Sequence, residues 1–202
     1  MRIIDISSWQ SNDDGSSAVD WQGLIDAGIE GVIIKIGEGD TLDEGFVAHV
    51  NAAVENGMKY GVYYYANAAN EGEAVEEALK VDGWITEFFH GENPELGIWY
   101  DAEDGNMTGG DVTATCAAFL TAMSNSGYNY VGIYSSWNWL SAEGVHFIRL
   151  EELDYTPIWV AQYSSVNDLI DEYPQADIRI WQYTDHLSDA LPYDADVYYE
   201  RW

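Results

Sequence analysis

The feature that most constrains this chain is a recurrence. Short, strongly apolar runs alternate with stretches whose apolar residues repeat at helical spacing. The strand-like runs fall at 2–6, 31–36, 60–65, 97–103, 130–134, 157–162, 178–183 and, more weakly, 194–199. Several, such as Val32-Ile33-Ile34, are continuously apolar, which suits parallel strands buried on both faces. Between them, Asp20 is placed to cap a helix carrying Trp21, Leu24 and Ile25 that stops at Gly28. A second helical stripe is Phe46, Val50, Ala53 and Val54, ending at Gly57, and a third is Ala74, Ala78, Val81 and Ile85. Asp111 opens a fourth, with Cys116, Phe119, Leu120 and Met123 before Gly127. Later the helical signal weakens, leaving short candidates at 137–140 and 166–172. Eight strands with intervening helices predict an α/β, closed, TIM-like barrel, poor in helices in its second half. An open doubly wound sheet is the alternative, but 37–42 departs from G-x-G-x-x-G at its third glycine. No linker or repeat divides the 202 residues, so 1–202 is expected to form a single domain.

Charge narrows the partners. Against 36 acids stand seven Lys and Arg, a net charge of −29, so nucleic acid and anionic membrane, which select basic surfaces, are poor partners. The acids are dispersed along the chain, as on a solvated surface. No apolar run approaches the roughly 20 residues of a membrane-spanning helix. The chain enters a strand at Arg2 and is expected to lack a signal peptide. Nine Trp and fifteen Tyr, against five Phe, supply flat faces with hydrogen-bonding tips, suited to core packing and to stacking on sugars. The one cysteine, Cys116, lies on a helical apolar stripe and is expected to be a buried, inert thiol. His49, His90, His146 and His186 lack zinc-ligand spacing, and no metal or cofactor is expected. No G-x-S-x-G elbow is present for acyl transfer.

In such barrels, functional side chains stand at the carboxyl ends of strands. Those ends carry Asp5, Lys35 with Glu38, three tyrosines including Tyr63, Asp101 with Glu103, Tyr134, Gln162 and Gln182, while Asp194 opens the last run. Period two puts Trp99, Asp101 and Glu103 on one strand face, with the Cα atoms of Asp101 and Glu103 roughly 7 Å apart. Two carboxyls at that range can hold different protonation states, as glycoside hydrolysis requires. The plainer reading is a pair of solvated strand-end acids. Lys35, inside an apolar run, is expected to have a carboxylate partner.

Taken in order, several segments resemble glycoside hydrolase family 25, the Chalaropsis-type lysozymes. They are Asp5-Ile6-Ser7-Ser8-Trp9-Gln10, Ile34-Lys35-Ile36-Gly37-Glu38-Gly39, Gly61-Val62-Tyr63-Tyr64-Tyr65, Asp101-Ala102-Glu103, Ile180-Trp181-Gln182-Tyr183 and Tyr193-Asp194-Ala195-Asp196. The resemblance spans the chain. It implies a single flattened, irregular β/α barrel with fewer than eight outer helices. It also implies hydrolysis of the β-1,4 bond from N-acetylmuramic acid to N-acetylglucosamine in bacterial peptidoglycan. By motif, Glu103 is the implied general acid and Asp101 the orienting or stabilising group, with Asp5 and Asp194 completing an acidic floor. Lys35, Glu38, Tyr63, Tyr134, Gln162 and Gln182 are the implied sugar-binding residues. Tyr64 stands where relatives often carry His, which implies an altered subsite. The resemblance further implies a monomer acting outside the cell or at its wall, as an autolysin, a bacteriolysin or a phage endolysin. Family 18 chitinases share a D-x-E but need an acid where this chain has Trp99. A non-catalytic wall-binding barrel is the rival of a different class, and it would be expected to lose the acid.

Overall fold

A computed structural model describes residues 1–199. Eight strands close into a barrel: β1 (Arg2–Ile6), β2 (Gly31–Glu38), β4 (Lys59–Tyr65), β5 (Ile98–Asp101), β6 (Val131–Ser136), β7 (Pro157–Ala161), β8 (Asp177–Thr184) and β9 (Asp194–Tyr198). Pairing of β1 with both β2 and β9 completes the ring, and a two-residue strand, β3 (Thr41–Leu42), folds back on β2.

The helices thin out as expected. Four lie in the first part of the chain: α1 (Trp21–Asp26), α2 (Phe46–Glu55), α3 (Glu71–Phe89) and α4 (Val112–Asn125). Only α5 (Trp137–Leu140) and α6 (Asp168–Glu172) follow among the described residues. The carboxylates of Asp20 and Asp111 accept from the amides of Gly23 and Ala114, each capping the helix it precedes. Ile25 and Val54, expected on buried helix faces, are exposed at the stripe edges of α1 and α2. Among the described residues, no helix is long and apolar enough to cross a membrane.

Two expectations need correction. The last strand is not parallel: β9 runs antiparallel to both β8 and β1. The connection at 185–193 is too short for a parallel crossover, which needs about a dozen residues, and it closes as a turn with Ser188 bridged to Leu191. The strand expected over 97–103 stops at Asp101, so Glu103 lies in the loop beyond it. That loop turns at once into a 3-10 segment, Gly105–Gly109, capped by the Asp104 carboxylate on the amide of Asn106.

Alternation along each strand divides the apolar residues into two cores. Outward-facing side chains such as Ile98, Tyr100, Val62 and Tyr64 pack under the helices, where Cys116 is also fully buried. Inward-facing Ile3, Ile33, Trp99, Trp159 and Ile180, joined by Leu96, plug the lower barrel. Gly132 makes this plug possible. A Cβ there would stand 2.4 Å from the Trp99 ring, the residue paired with it across β5 and β6.

Candidate active site

Above the plug, the same inward-facing positions turn polar. Asp5 follows Ile3 on β1, Lys35 follows Ile33 on β2, and Asp101 follows Trp99 on β5. On β9, Asp194 pairs with Asp5 and Asp196 with Ile3, so both aspartates point into the barrel. Tyr63 and Tyr134 sit one strand away, beside Lys35 and Asp101 respectively. The strand pattern that builds the plug therefore also gathers these groups at one end.

Gln182 is the organiser of this floor. Buried to 2% exposure, it donates from Nε2 to Asp5 Oδ2 at 2.8 Å. Its Oε1 accepts from Tyr134 at 3.0 Å and from Tyr163 at 3.3 Å. Trp159 Nε1, reaching up from the plug, donates to Asp196 Oδ1 at 2.7 Å. The Tyr134 ring packs on Trp159, with centroids 4.6 Å apart.

These carboxyls are crowded, and Asp5, Asp101 and Asp196 are buried. Burial, then the charge of Asp194, pushes the Asp5 pKa up to about 8. Burial, then the charge of Asp185, raises Asp194 to about 6. Asp196 is raised well above the usual carboxylate range by burial and by Asp5, against the lowering effect of the Trp159 hydrogen bond. Asp101 is raised likewise by burial, then by Glu103 and Asp5, with Lys35 opposing. Its Oδ1 is buried without a hydrogen-bond partner among the described residues. Glu103 stands exposed at the rim, yet partial desolvation and the neighbouring charge of Asp104 raise its pKa too. A rim acid that holds its proton longer than usual, above a buried carboxyl with a free oxygen, is equipped for proton donation beside a charge-stabilising group.

Lys35 forms an ion pair with Glu38 at the barrel edge and lies 5.2 Å from the centroid of the Tyr65 ring. The Tyr65 hydroxyl donates to Asp104 at 3.2 Å, tying this edge to the loop that carries Glu103.

Two expected groups do not join the site. The Gln162 amide turns to helix α6, donating to Asp168 Oδ2 at 2.6 Å and accepting from the Asp168 amide at 2.9 Å. Alternation explains this, because Trp159 faces in and Val160 out, which sends Gln162 outward as well. Tyr64 is also outward and fully buried, with its hydroxyl donating to Gly39 O at 3.0 Å, so it lines no subsite. Conversely, two contributors lie outside the expected set, which took Asp194 over Asp196 as the final aspartate facing the site. Asp196 has the same parity as Asp194, and that i, i+2 spacing was the available signal. Tyr163, just past the end of β7, shares the inward parity of Trp159, and that alternation was its available signal.

Comparison with known proteins gives a consistent result. The model of the family described as Glycosyl hydrolases family 25 matches residues 4–190. No curated protein matches. Among solved structures, the fold is similar to the modular autolysin LytC from Streptococcus pneumoniae, with a TM-score of 0.79 and 25% identity. That match covers 98% of this chain and 46% of LytC, so the chain spans less than half the length of that relative. The catalytic domain of endolysin ply40 from bacteriophage P40 of Listeria monocytogenes matches at a TM-score of 0.74 and 22% identity, over 98% of this chain and 93% of that one. A muramidase from Trichobolus zukalii matches at 0.70 and 21%, over 100% of this chain and 94% of that one.

Proposed function

Because the chain belongs to glycosyl hydrolase family 25, we propose that it is a muramidase. It cleaves the β-1,4 bond between N-acetylmuramic acid and N-acetylglucosamine in bacterial peptidoglycan, acting at the cell wall as a single catalytic domain. LytC has been solved in complex with a synthetic peptidoglycan ligand, which supports that substrate class. One observation carries the reading: a buried Asp101 carboxyl with an unpaired oxygen, two residues before a rim glutamate whose pKa is raised.

The chemistry follows from that pair. Glu103 gives its proton to the glycosidic oxygen as the C1–O bond breaks. The bond's electrons leave with that oxygen, and the substrate's own acetamido carbonyl oxygen bonds to C1 from the opposite face. Asp101, once ionised, accepts the acetamido N–H and aims that carbonyl; the substrate N–H and nearby Lys35 then favour its charged form. In the second half, the Glu103 carboxylate takes a proton from water, which attacks C1 and displaces the acetamido oxygen. Two inversions give net retention. Asp5, Asp194 and Asp196 supply a floor that accepts hydroxyl hydrogens, while Gln182, Tyr63 and Tyr134 hold its shape. Lys35 and Glu38 present a donor and an acceptor at the edge.

The test is a wall-clearing assay with mass spectrometry of the released ends. New reducing muramic acid ends are expected, with the β-anomer formed first by NMR. New reducing glucosamine ends would overturn the bond assignment, and a glycosyl adduct trapped on Asp101 would overturn the acetamido route.

A further inference from the structure

Beside the carboxylate floor lies a second cleft of about 370 Å³, bounded by Trp9, Lys35, Glu38, Thr41, Asp43 and Glu44. Trp9 is 90% exposed, although it carries one of the largest apolar faces in the chain. Its backbone is nevertheless held from several sides. The Ser7 hydroxyl accepts from the Trp9 amide, and the Ser7 amide donates to Gln10 Oε1 at 2.9 Å, closing a capping box. Asp43, itself buried, accepts from the Ser8 amide at 3.2 Å and from the Gly45 amide at 2.9 Å. Fully buried His49 contacts Ser7 O at 3.0 Å and the hydroxyls of Ser11 and Ser17. An indole presented to solvent on a fixed loop loses little freedom when a flat partner covers it.

The cleft joins the floor through Lys35, which borders it and also lies close enough to Asp101 to favour that carboxylate. Its charges define the occupant. Three acids face one lysine already paired with Glu38, so an anionic group is disfavoured there. A neutral, polyhydroxylated ring suits it better, stacking its C–H face on Trp9 and directing hydroxyls to Glu38, Glu44 and Lys35.

We infer that Trp9 is the stacking platform of an outer sugar subsite, which takes an uncharged N-acetylglucosamine-type residue of the same glycan whose bond is cut at Glu103. The inference rests on the muramidase reading for the identity of the glycan, and the experiment separates the two. In a Glu103→Gln background, which keeps the ligand intact, the ¹⁵N-labelled indole signals are followed during titration with N-acetylchitohexaose. The Trp9 signal, assigned by its loss in Trp9→Ala, is expected to shift. Against wall glycan, Trp9→Ala should lower kcat/KM about tenfold through a raised KM, and Trp9→Tyr should recover most of that loss. Tyr155→Ala, removing another exposed aromatic remote from the cleft, should match the parent protein. An unmoved Trp9 signal, or parental kinetics for Trp9→Ala, overturns the subsite. A concentration-dependent dimer abolished by Trp9→Ala would also overturn it, assigning the indole to self-association. A parent protein that leaves walls uncut sinks the muramidase reading alone, since the indole titration still decides the subsite.

Discussion

The two ends of the barrel interior share their strands and differ in almost everything else. At the lower end, Ile3, Ile33, Trp99, Trp159 and Ile180 interlock, with the Trp99 and Trp159 rings 5.9 Å apart at a steep angle. At the upper end, two residues further along the same strands, come Asp5, Lys35 and Asp101. The lower end is satisfied: Trp99 Nε1 donates to Leu96 O at 2.7 Å, and Trp159 Nε1 reaches Asp196. The upper end leaves Asp101 Oδ1 buried without a hydrogen-bond partner among the described residues and presses the buried Asp196 carboxyl against Asp5. Burying such groups opposes folding. The contrast teaches that apolar packing below stabilises a scaffold on which strained electrostatics above are tolerated.

If that division holds, activity and stability separate by mutation. Glu103→Gln is nearly isosteric and lies off the strand, so it should lower wall-clearing rates about 10²–10⁴-fold with Tm unchanged. Parental clearing by the folded variant would remove Glu103 from its role. The reverse is expected below. Trp99→Ala opens a cavity in the plug and should cost about 3–5 kcal/mol, a Tm drop of roughly 6–20 °C. A small thermal effect would mean that the plug is not what holds the barrel.

A subtler break concerns pH. Asp5 in the folded protein holds its proton up to about pH 8, whereas its ordinary pKa is 3.8. Between those values the folded state binds more protons than the unfolded one, so this group's stabilising contribution is complete below about pH 4. It declines as pH rises and is lost above about 8. Asp194, raised to about 6, adds to the same decline over a narrower window. Asp5→Asn removes the larger share and keeps an oxygen for the Gln182 amide. At pH 7.5 its Tm should exceed the parent's by several degrees, at about 2–4 °C per kcal/mol, and the two should converge near pH 4. Equal Tm profiles across pH would show that Asp5 is not strained by its burial.

Much of this division was legible in the sequence. Apolar runs, several of them continuous, marked seven of the eight barrel strands clearly, because parallel strands covered on both faces need them. The caps at Asp20 and Asp111 were equally plain, since a short oxygen-bearing side chain before an apolar stripe has few other uses. The direction of β9 was not legible from apolar pattern, and only the length of the preceding loop carried it. Most of the floor could be gathered from strand-end positions. Parity was the tool under-used: it separates Tyr63 from Tyr64 and pairs Asp196 with Asp194. The exposure of Trp9 had no sequence signal, because it depends on how the loop after β1 is anchored by Asp43 and His49.

The smallest effect distinguishes two glutamines at neighbouring strand ends. Gln182 on β8 turns inward and binds Asp5, Tyr134 and Tyr163, whereas Gln162, just past β7, turns outward to Asp168 at the start of α6. Composition and position made them equivalent; parity did not. Gln162→Ala removes two hydrogen bonds at the end of a short, partly exposed helix, where water replaces the lost partners. The expected cost is about 0.5–1.5 kcal/mol, read as a Tm decrease of a few degrees. Because its side-chain amide bonds to Asp168 and not to the carboxylate floor, kcat/KM on walls should stay within about twofold of the parent, far below the tenfold that 1.4 kcal/mol of lost binding would produce. A tenfold loss of kcat/KM without a change in Tm would show that Gln162 swings inward to meet substrate. That result would extend the upper, polar end of the barrel by one more strand and redraw its boundary with the outer layer.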